Sequence, residues 1–133
     1  MFRAEAELMA GDVRATVDGQ AYVGLLLKRD EKWERISFIV SKRGTKVEPT
    51  VTPLPAGRGA TAVRARLDEH GCLHVLLRRH DRLSYVPPAE NWDTSLDSRL
   101  ISVGNFFDLL LQPNRPPALV YYDSQQGPVV GRL

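Results

Sequence analysis

The sequence predicts a mainly β (α+β) protein, an antiparallel β-sandwich or open barrel of six to eight strands with one C-terminal helix. Three observations lead to this prediction. Apolar and polar residues alternate with a period of two along most of the chain up to Val86, as in half-buried strands. Turn-forming residues separate these stretches at short intervals. Only one segment, residues 98–112, places apolar side chains at helical spacing.

The N-terminal half contains five predicted strands, at residues 2–8, 13–17, 21–27, 33–40 and 47–52. Asp18-Gly19 follows the second of them, and this dipeptide tolerates the positive φ angles of a tight hairpin turn. The third predicted strand is almost entirely apolar, which favours a central position in the sheet. Pro49 and Pro53 lack a backbone N–H, so we expect the fifth strand to lie at an edge.

The C-terminal half begins with a predicted loop at residues 54–60 and a hairpin whose strands are residues 62–67 and 72–79. A short strand at residues 83–86, the helix at residues 98–112 and a last strand at residues 119–122 follow. Leu100, Val103, Phe107 and Leu110 repeat at helical spacing, and Pro113 ends the pattern. Further apolar residues extend the apolar surface of this predicted helix beyond one face. We therefore expect the helix to lie in the core or to be shared with a second subunit.

Basic residues are concentrated in the middle of the chain. The net charge is only +2, yet the segment Ser41–Arg82 has nine Lys or Arg against four Asp or Glu. All three histidines, the only cysteine and five arginines lie between Arg64 and Arg82, where the hairpin is predicted. Such an asymmetry is typical of a surface that meets an anionic partner.

The alternation within this hairpin directs its polar side chains to one sheet surface. Arg64 and Arg66 lie on one face of the first strand of the hairpin. Across the turn, His74 and Arg78 also share one face of their strand, which can be the same sheet surface. We expect a binding module for a polyanion, with single-stranded nucleic acid as the favoured partner. The predicted contact residues are Arg64, Arg66, His74, Arg78, Arg79, Arg58, Lys42 and Arg43. The alternative is that the arginine stems cover apolar surface while their heads pair with nearby carboxylates.

His70, Cys72 and His74 raise the question of a metal site, because imidazole and thiolate are suitable zinc ligands. Their spacing does not match the usual zinc patterns, and Gly71 indicates that His70 lies in a turn. We expect no metal and no cofactor, with a turn histidine, a small cysteine and a strand histidine as the simpler interpretation.

Catalytic signatures are absent from the sequence. It contains neither a Gly-x-Ser-x-Gly elbow nor a His-Glu-x-x-His pair, so we expect a protein without enzymatic activity and assign no catalytic residue. The alternative to nucleic-acid binding is a protein-interaction or homo-oligomeric domain that uses the apolar helix 98–112 and edge strands. Phe106, Phe107 and Leu110 are its predicted interface residues.

Length and composition set the remaining expectations. A chain of 133 residues corresponds to about one domain, which we place at residues 1–133. One cysteine excludes an internal disulfide, and the N-terminus has acidic residues where a signal peptide needs basic ones. No apolar run is long enough to span a bilayer. We expect a soluble, cytoplasmic protein that does not associate with membranes.

Overall fold

The computed structural model describes residues 5–41, 49–79, 82–88, 99–100, 103–123 and 125–132. These residues form eleven strands in three antiparallel sheets, and one short 3-10 turn. The first sheet consists of β1 (Glu7–Ala15), β2 (Ala21–Arg29), β3 (Lys32–Val40) and β4 (Thr50–Pro53), paired in that order. The 3-10 turn covers Pro55–Gly57. The second sheet consists of β5 (Ala62–Leu67), β6 (Leu73–Arg79), β7 (Arg82–Val86) and β8 (Arg99–Leu100), also in chain order. The third sheet pairs β9 (Val103–Leu110) with β10 (Ala118–Asp123), and β10 with β11 (Gly127–Arg132).

Tight turns join β1 to β2 and β2 to β3. Gly19 has a φ of 81° in the turn between β1 and β2, a conformation that glycine adopts without steric cost. Asp30 has a φ of 54° in the turn between β2 and β3, where aspartate is one of the residues that tolerate the left-handed region. The hairpin predicted at Asp18-Gly19 is therefore confirmed.

The second sheet is covered on both faces. Leu73, Val75 and Leu77 of β6 pack with Leu26 and Trp33 of the first sheet in one core cluster. The alternate residue Leu76 packs in a second cluster, with residues of the third sheet. Residues 73–77 are consequently all buried. A strand that is buried on both faces has a nearly continuous apolar sequence instead of an alternating one.

The third sheet closes the second core. Phe107 and Leu109 of β9 are register partners of Tyr121 and Leu119 of β10. Phe107 and Leu119 are each 1% exposed and lie against Leu76 of the second sheet. The second core is thus built from alternate positions of β9 and β10.

The predicted helix at residues 98–112 is wrong over Val103–Leu110, which is strand β9. Phe107 and Leu109, two residues apart, both face the core, whereas Phe106 is 56% exposed. This period of two is that of a strand, and β10 supplies the backbone partners. Aromatic and β-branched residues also favour strands, so tertiary pairing prevailed over the chance helical spacing of the apolar residues.

The mainly β class is confirmed, with no helix in the part of the chain that the structure describes. The finer prediction of a sandwich or open barrel is not supported, because the strands form three sheets. The eleven strands of the described residues also exceed the predicted six to eight. None of the described segments forms a helix with the length and apolar character needed to cross a membrane.

Replacing Phe107 and Phe106 separately with alanine distinguishes a strand from a helix with a broad apolar stripe. We expect Phe107→Ala to lower the free energy of unfolding by about 3–5 kcal/mol, because it leaves a cavity in the second core. Phe106→Ala, the matched control one residue away, should cost less than about 1 kcal/mol. Urea denaturation followed by circular dichroism measures both values. Equal losses for the two variants would contradict the register of β9.

Candidate functional site

The hairpin of β5 and β6 contains most of the residues predicted to bind an anion, but it divides them between two regions. In the register, Arg66 lies opposite His74, Arg64 opposite Leu76, and Ala62 opposite Arg78. Arg66 and His74 are thus at the turn end of the hairpin, whereas Arg78 is at its open end. The two ends have different surroundings and are described in turn.

At the turn end, Arg66 binds a carboxylate of the third sheet. Its Nε and Nη2 donate to Asp108 at 3.2 and 2.6 Å, a bidentate pair, and its Nη1 lies 3.9 Å from Asp12. The hydrogen bond with Asp108 raises the pKa of Arg66. Burial raises the pKa of Asp108, but the bond and charge of Arg66 outweigh this and hold it below its usual range. The pair connects the second and third sheets.

Arg64 is also engaged with the third sheet. Its guanidinium lies over the Phe107 ring, 4.6 Å from the ring centre, and its Nη1 donates to the carbonyl oxygen of Val63 at 2.8 Å. A guanidinium above an aromatic face is a favourable cation–π contact. As in the alternative interpretation, Arg64 covers apolar surface and Arg66 pairs with a carboxylate, although that carboxylate is Asp108, 42 positions away, and not a nearby one.

His74 is 7% exposed and lies at the centre of a hydrogen-bond network. Its Nε2 is 2.8 Å from Asp68 Oδ2, and its Nδ1 is 2.7 Å from Tyr85 Oη. In the neutral imidazole, the ionised Asp68 accepts the Nε2–H bond and the phenol of Tyr85 donates to Nδ1. Burial and the charge of Asp68 raise the pKa of Tyr85 to about 12, which keeps this phenol protonated.

Asp68 holds the turn as well as the histidine. Its Oδ1 accepts the backbone N–H groups of His70 and Cys72 at 2.9 and 3.0 Å. Burial raises the pKa of Asp68, but the bonds from His74 and from these N–H groups outweigh it and lower the pKa below the usual range. Gly71, with a φ of 78°, completes the turn. The network therefore fixes the β5–β6 turn to β7.

This arrangement is suited to structure more than to chemistry. Both ring nitrogens of His74 have protein partners and the residue is 7% exposed, so neither nitrogen faces solvent to ligate a metal. The His70 side chain is 78% exposed, and Cys72 lies at the surface. Within the described ranges, no three His, Cys, Asp or Glu side chains form a group that could hold a metal ion. Partial burial and Asp68 raise the pKa of the Cys72 thiol, which disfavours the reactive thiolate.

A small cleft lies beside this network. It encloses about 180 Å³ between the β5–β6 turn and the loop that joins β9 to β10. Arg14 and Arg115 line it, but so do Asp68 and Glu69, so the formal charges cancel. Its volume is below the range of about 300–1,000 Å³ that is typical of ligand pockets.

At the open end of the hairpin, arginines from two separate segments meet. Arg79 Nε donates to the carbonyl oxygen of Arg58 at 3.0 Å, although the residues are 21 positions apart. Arg78 precedes Arg79 in β6, so strand alternation directs its side chain to the other face of the second sheet. Its carbonyl oxygen accepts bonds from Thr61 N and Oγ1 at 2.8 and 3.1 Å. We call Arg58, Arg78 and Arg79 the arginine-rich end. Lys42 and Arg43, the other two predicted contacts, lie outside the described residues.

A second cavity adjoins the arginine-rich end. It has a volume of about 380 Å³, and Arg58 lines it together with Trp33, Val51, Pro53 and Pro55. Glu31, Lys32 and Glu34 also line it, so its formal charges cancel, as they do in the small cleft. Gly57 is required beside it, because a Cβ atom there would lie 2.4 Å from the Trp33 ring. The loop at residues 54–60 therefore packs on an aromatic side chain through Gly57.

The predicted oligomer residues also differ among themselves. Phe106 and Leu110 are 56% and 38% exposed, whereas Phe107 is 1% exposed in the second core. Sequence reasoning did not give roles to Tyr85, Asp12 and Asp108, which hold His74 and Arg66. The Asp68-x-x-Gly71 spacing is a turn signal that could have identified the role of Asp68.

The fold and this site define a mainly β protein with a structural histidine network and an arginine-rich end. No protein-family model matches the sequence, and no curated protein matches it significantly.

Asp68→Asn tests the structural role of the network. We expect the free energy of unfolding at pH 7 to fall by about 1–3 kcal/mol, because the charged acceptor of His74 and of two backbone N–H groups is lost. The native pKa of Asp68 is lowered, so its stabilisation is present above the unfolded pKa of about 3.9 and disappears as the pH falls further. The difference between wild type and variant should therefore shrink from pH 7 to pH 3 in urea titrations. An unchanged stability at pH 7 would refute the role assigned to Asp68.

Proposed function

We propose that this protein binds an anionic partner at its arginine-rich end, and single-stranded nucleic acid is the partner that we favour. The observation that carries the proposal is that Arg58 lines a ligand-sized cavity, while the Arg79 side chain donates a hydrogen bond to the Arg58 backbone carbonyl oxygen and so lies near that cavity. Guanidinium groups bind phosphate through paired N–H donors.

The cavity supports nucleic acid over a simple anion. Its walls include Trp33, Val51 and two prolines, and its volume of about 380 Å³ falls in the range of small-ligand sites. A nucleotide presents a flat apolar base next to a phosphate. The base would enter the cavity while the phosphate meets Arg58.

The proposed binding surface is smaller than the basic surface that the sequence predicts. Arg64 and Arg66 have partners in the third sheet, and His74 is 7% exposed. We assign the partner to Arg58, which lines the cavity, and to Arg79 and Arg78 at the same end of the hairpin, with Lys42 and Arg43 retained from the sequence. We assign no catalytic step and no cofactor, and we place this binding in the cytoplasm because the single cysteine excludes an internal disulfide.

Charge reversal at Arg58 tests the proposal. We expect a fluorescently labelled single-stranded oligonucleotide to bind saturably in anisotropy titrations, and Arg58→Glu to weaken binding by roughly tenfold or more at low salt. The logarithmic salt slope should also become less steep by about 0.7, the value for one phosphate contact on a single strand. Arg58 is exposed, so the substitution should leave the fold intact.

Arg115→Glu is the matched control, because it makes the same charge change at an exposed position on the β9–β10 loop. It should alter the affinity by less than about twofold, within the range of surface charge effects. Equal weakening by both variants would show a response to net charge alone. Absence of binding by the wild type at low salt would reject the proposal.

A further inference from the structure

The two faces of the first sheet differ in what covers them. Strand alternation places Leu26 and Trp33 on an inner face, where they pack against the second sheet. Gly24 lies on the same face, because a Cβ atom there would touch Leu73 of the second sheet at 2.7 Å. β5 and the 3-10 turn also contact this inner face, through Asp12 and through Trp33. The other face points away from both cores.

This outer face is apolar. Register and parity place on it a continuous set of residues from all four strands, including Leu8, Val13, Val23, Leu25, Ile36 and Val51. We call this surface the outer apolar face. Its positions on the edge strands are exposed, with 66% for Val13 and 61% for Leu8. Its positions on β2 and β3 are half-buried.

Among the residues that the structure describes, the charged positions of the outer side lie at one end. Arg29, Lys32 and Glu34 lie next to the β2–β3 turn, and the strand positions beyond them on β1, β2 and β3 carry no charge. An apolar surface of this extent exposed to water is a characteristic of interaction sites. A half-exposed antiparallel sheet normally directs polar residues to the solvent side. The sequence of the first sheet therefore indicates a second contact surface.

The size of the face fits a specific association. Strands β1, β2 and β3 have nine residues each. They span about 30 Å by about 14 Å, a flat footprint of roughly 400 Å² before β4 and side-chain relief are added. Two such faces in contact would bury about 1,000 Å² or more, which is the size that a specific interface requires.

We propose that a second copy of this chain covers the outer apolar face, so that two first sheets pack face to face about 10 Å apart across a twofold axis. A twofold contact requires a surface that is complementary to itself. An uncharged apolar face meets this requirement, since no like charges oppose each other. The mixed charges of Arg29, Lys32 and Glu34 lie at the rim, where interfaces are polar.

The chemistry of the face argues against a lipid surface. Elements that bind membranes have a basic rim and place Trp or Tyr at the boundary. Here the rim has both signs of charge, and Tyr22 and Trp33 of this sheet belong to the inner side. The outer apolar face is distinct from the arginines of the proposed nucleic-acid site but adjoins that site, because Val51, Lys32 and Glu34 also line the cavity beside Arg58.

Light scattering over a concentration series of the wild type is the first test. We expect a mass of twice the chain mass of 14.9 kDa at high concentration, with dissociation on dilution. Val13→Glu and Leu8→Glu should each raise the dissociation constant at least about tenfold, because a charge would be buried without a partner. Both positions are exposed in the monomer, so the substitutions should leave it folded, which circular dichroism checks.

Val130→Glu is the matched control, since Val130 is 65% exposed on the third sheet and receives the same substitution. It should leave the dissociation constant unchanged. A wild type that stays at 14.9 kDa at every concentration would overturn the proposal, and so would a dimer insensitive to Val13→Glu and Leu8→Glu. If Val130→Glu alone dissociated the dimer, the interface would lie on the third sheet and the proposal would be wrong. Flotation of a monomeric wild type with phospholipid vesicles would assign the face to lipid and refute the second copy.

Discussion

The burial of β6 on both faces is the constraint on which the other sheets depend. Val75 and Leu77 form one core with the first sheet, and Leu76 forms the other with the third sheet. Neither outer sheet has a described core cluster without residues of the second sheet. A strand in this position needs apolar residues at successive positions, and residues 73–77 of β6 provide them except at His74. That one polar position is compatible with burial because Asp68 and Tyr85 satisfy both ring nitrogens.

The polar contacts between sheets converge on β5. Asp12 of β1 accepts the backbone N–H of Leu67 at 2.9 Å, and Asp108 of β9 binds the guanidinium of Arg66. Adjacent residues of one strand are thus bound to the first and to the third sheet. Arg35, 6% exposed, adds a bond from β3 to the carbonyl oxygen of Pro87 beyond β7, and burial lowers its pKa. These contacts fix how the sheets lie on one another, whereas apolar packing alone would permit sliding.

The sequence predicted the positions of the strands better than it predicted which face of each strand is buried and which side chains it contacts. Period-two alternation and the Asp18-Gly19 turn identify the hairpins of the first sheet, because these signals are local. Alternation does not reveal which face is inward: β3 directs Trp33 to the core and Ile36 to the outer side, although both are apolar. The Arg66–Asp108 pair joins residues 42 positions apart, so no spacing rule anticipates it. Because the third sheet is far from Arg64 and Arg66 in sequence, its contacts with the predicted basic face could not be anticipated either.

The two proposed surfaces would act together. The arginine-rich end offers few cations on any one face, because Arg78 points to the opposite side of β6 from Arg79, and a few phosphate contacts give weak, salt-sensitive binding. A twofold pair of first sheets would present two arginine-rich ends on one rigid body. Binding of a strand at one end would then raise its effective concentration at the other, provided that the strand spans both. The outer apolar face would thereby increase affinity without adding any contact to the nucleic acid, and weakening of the dimer would weaken binding even where every arginine is retained.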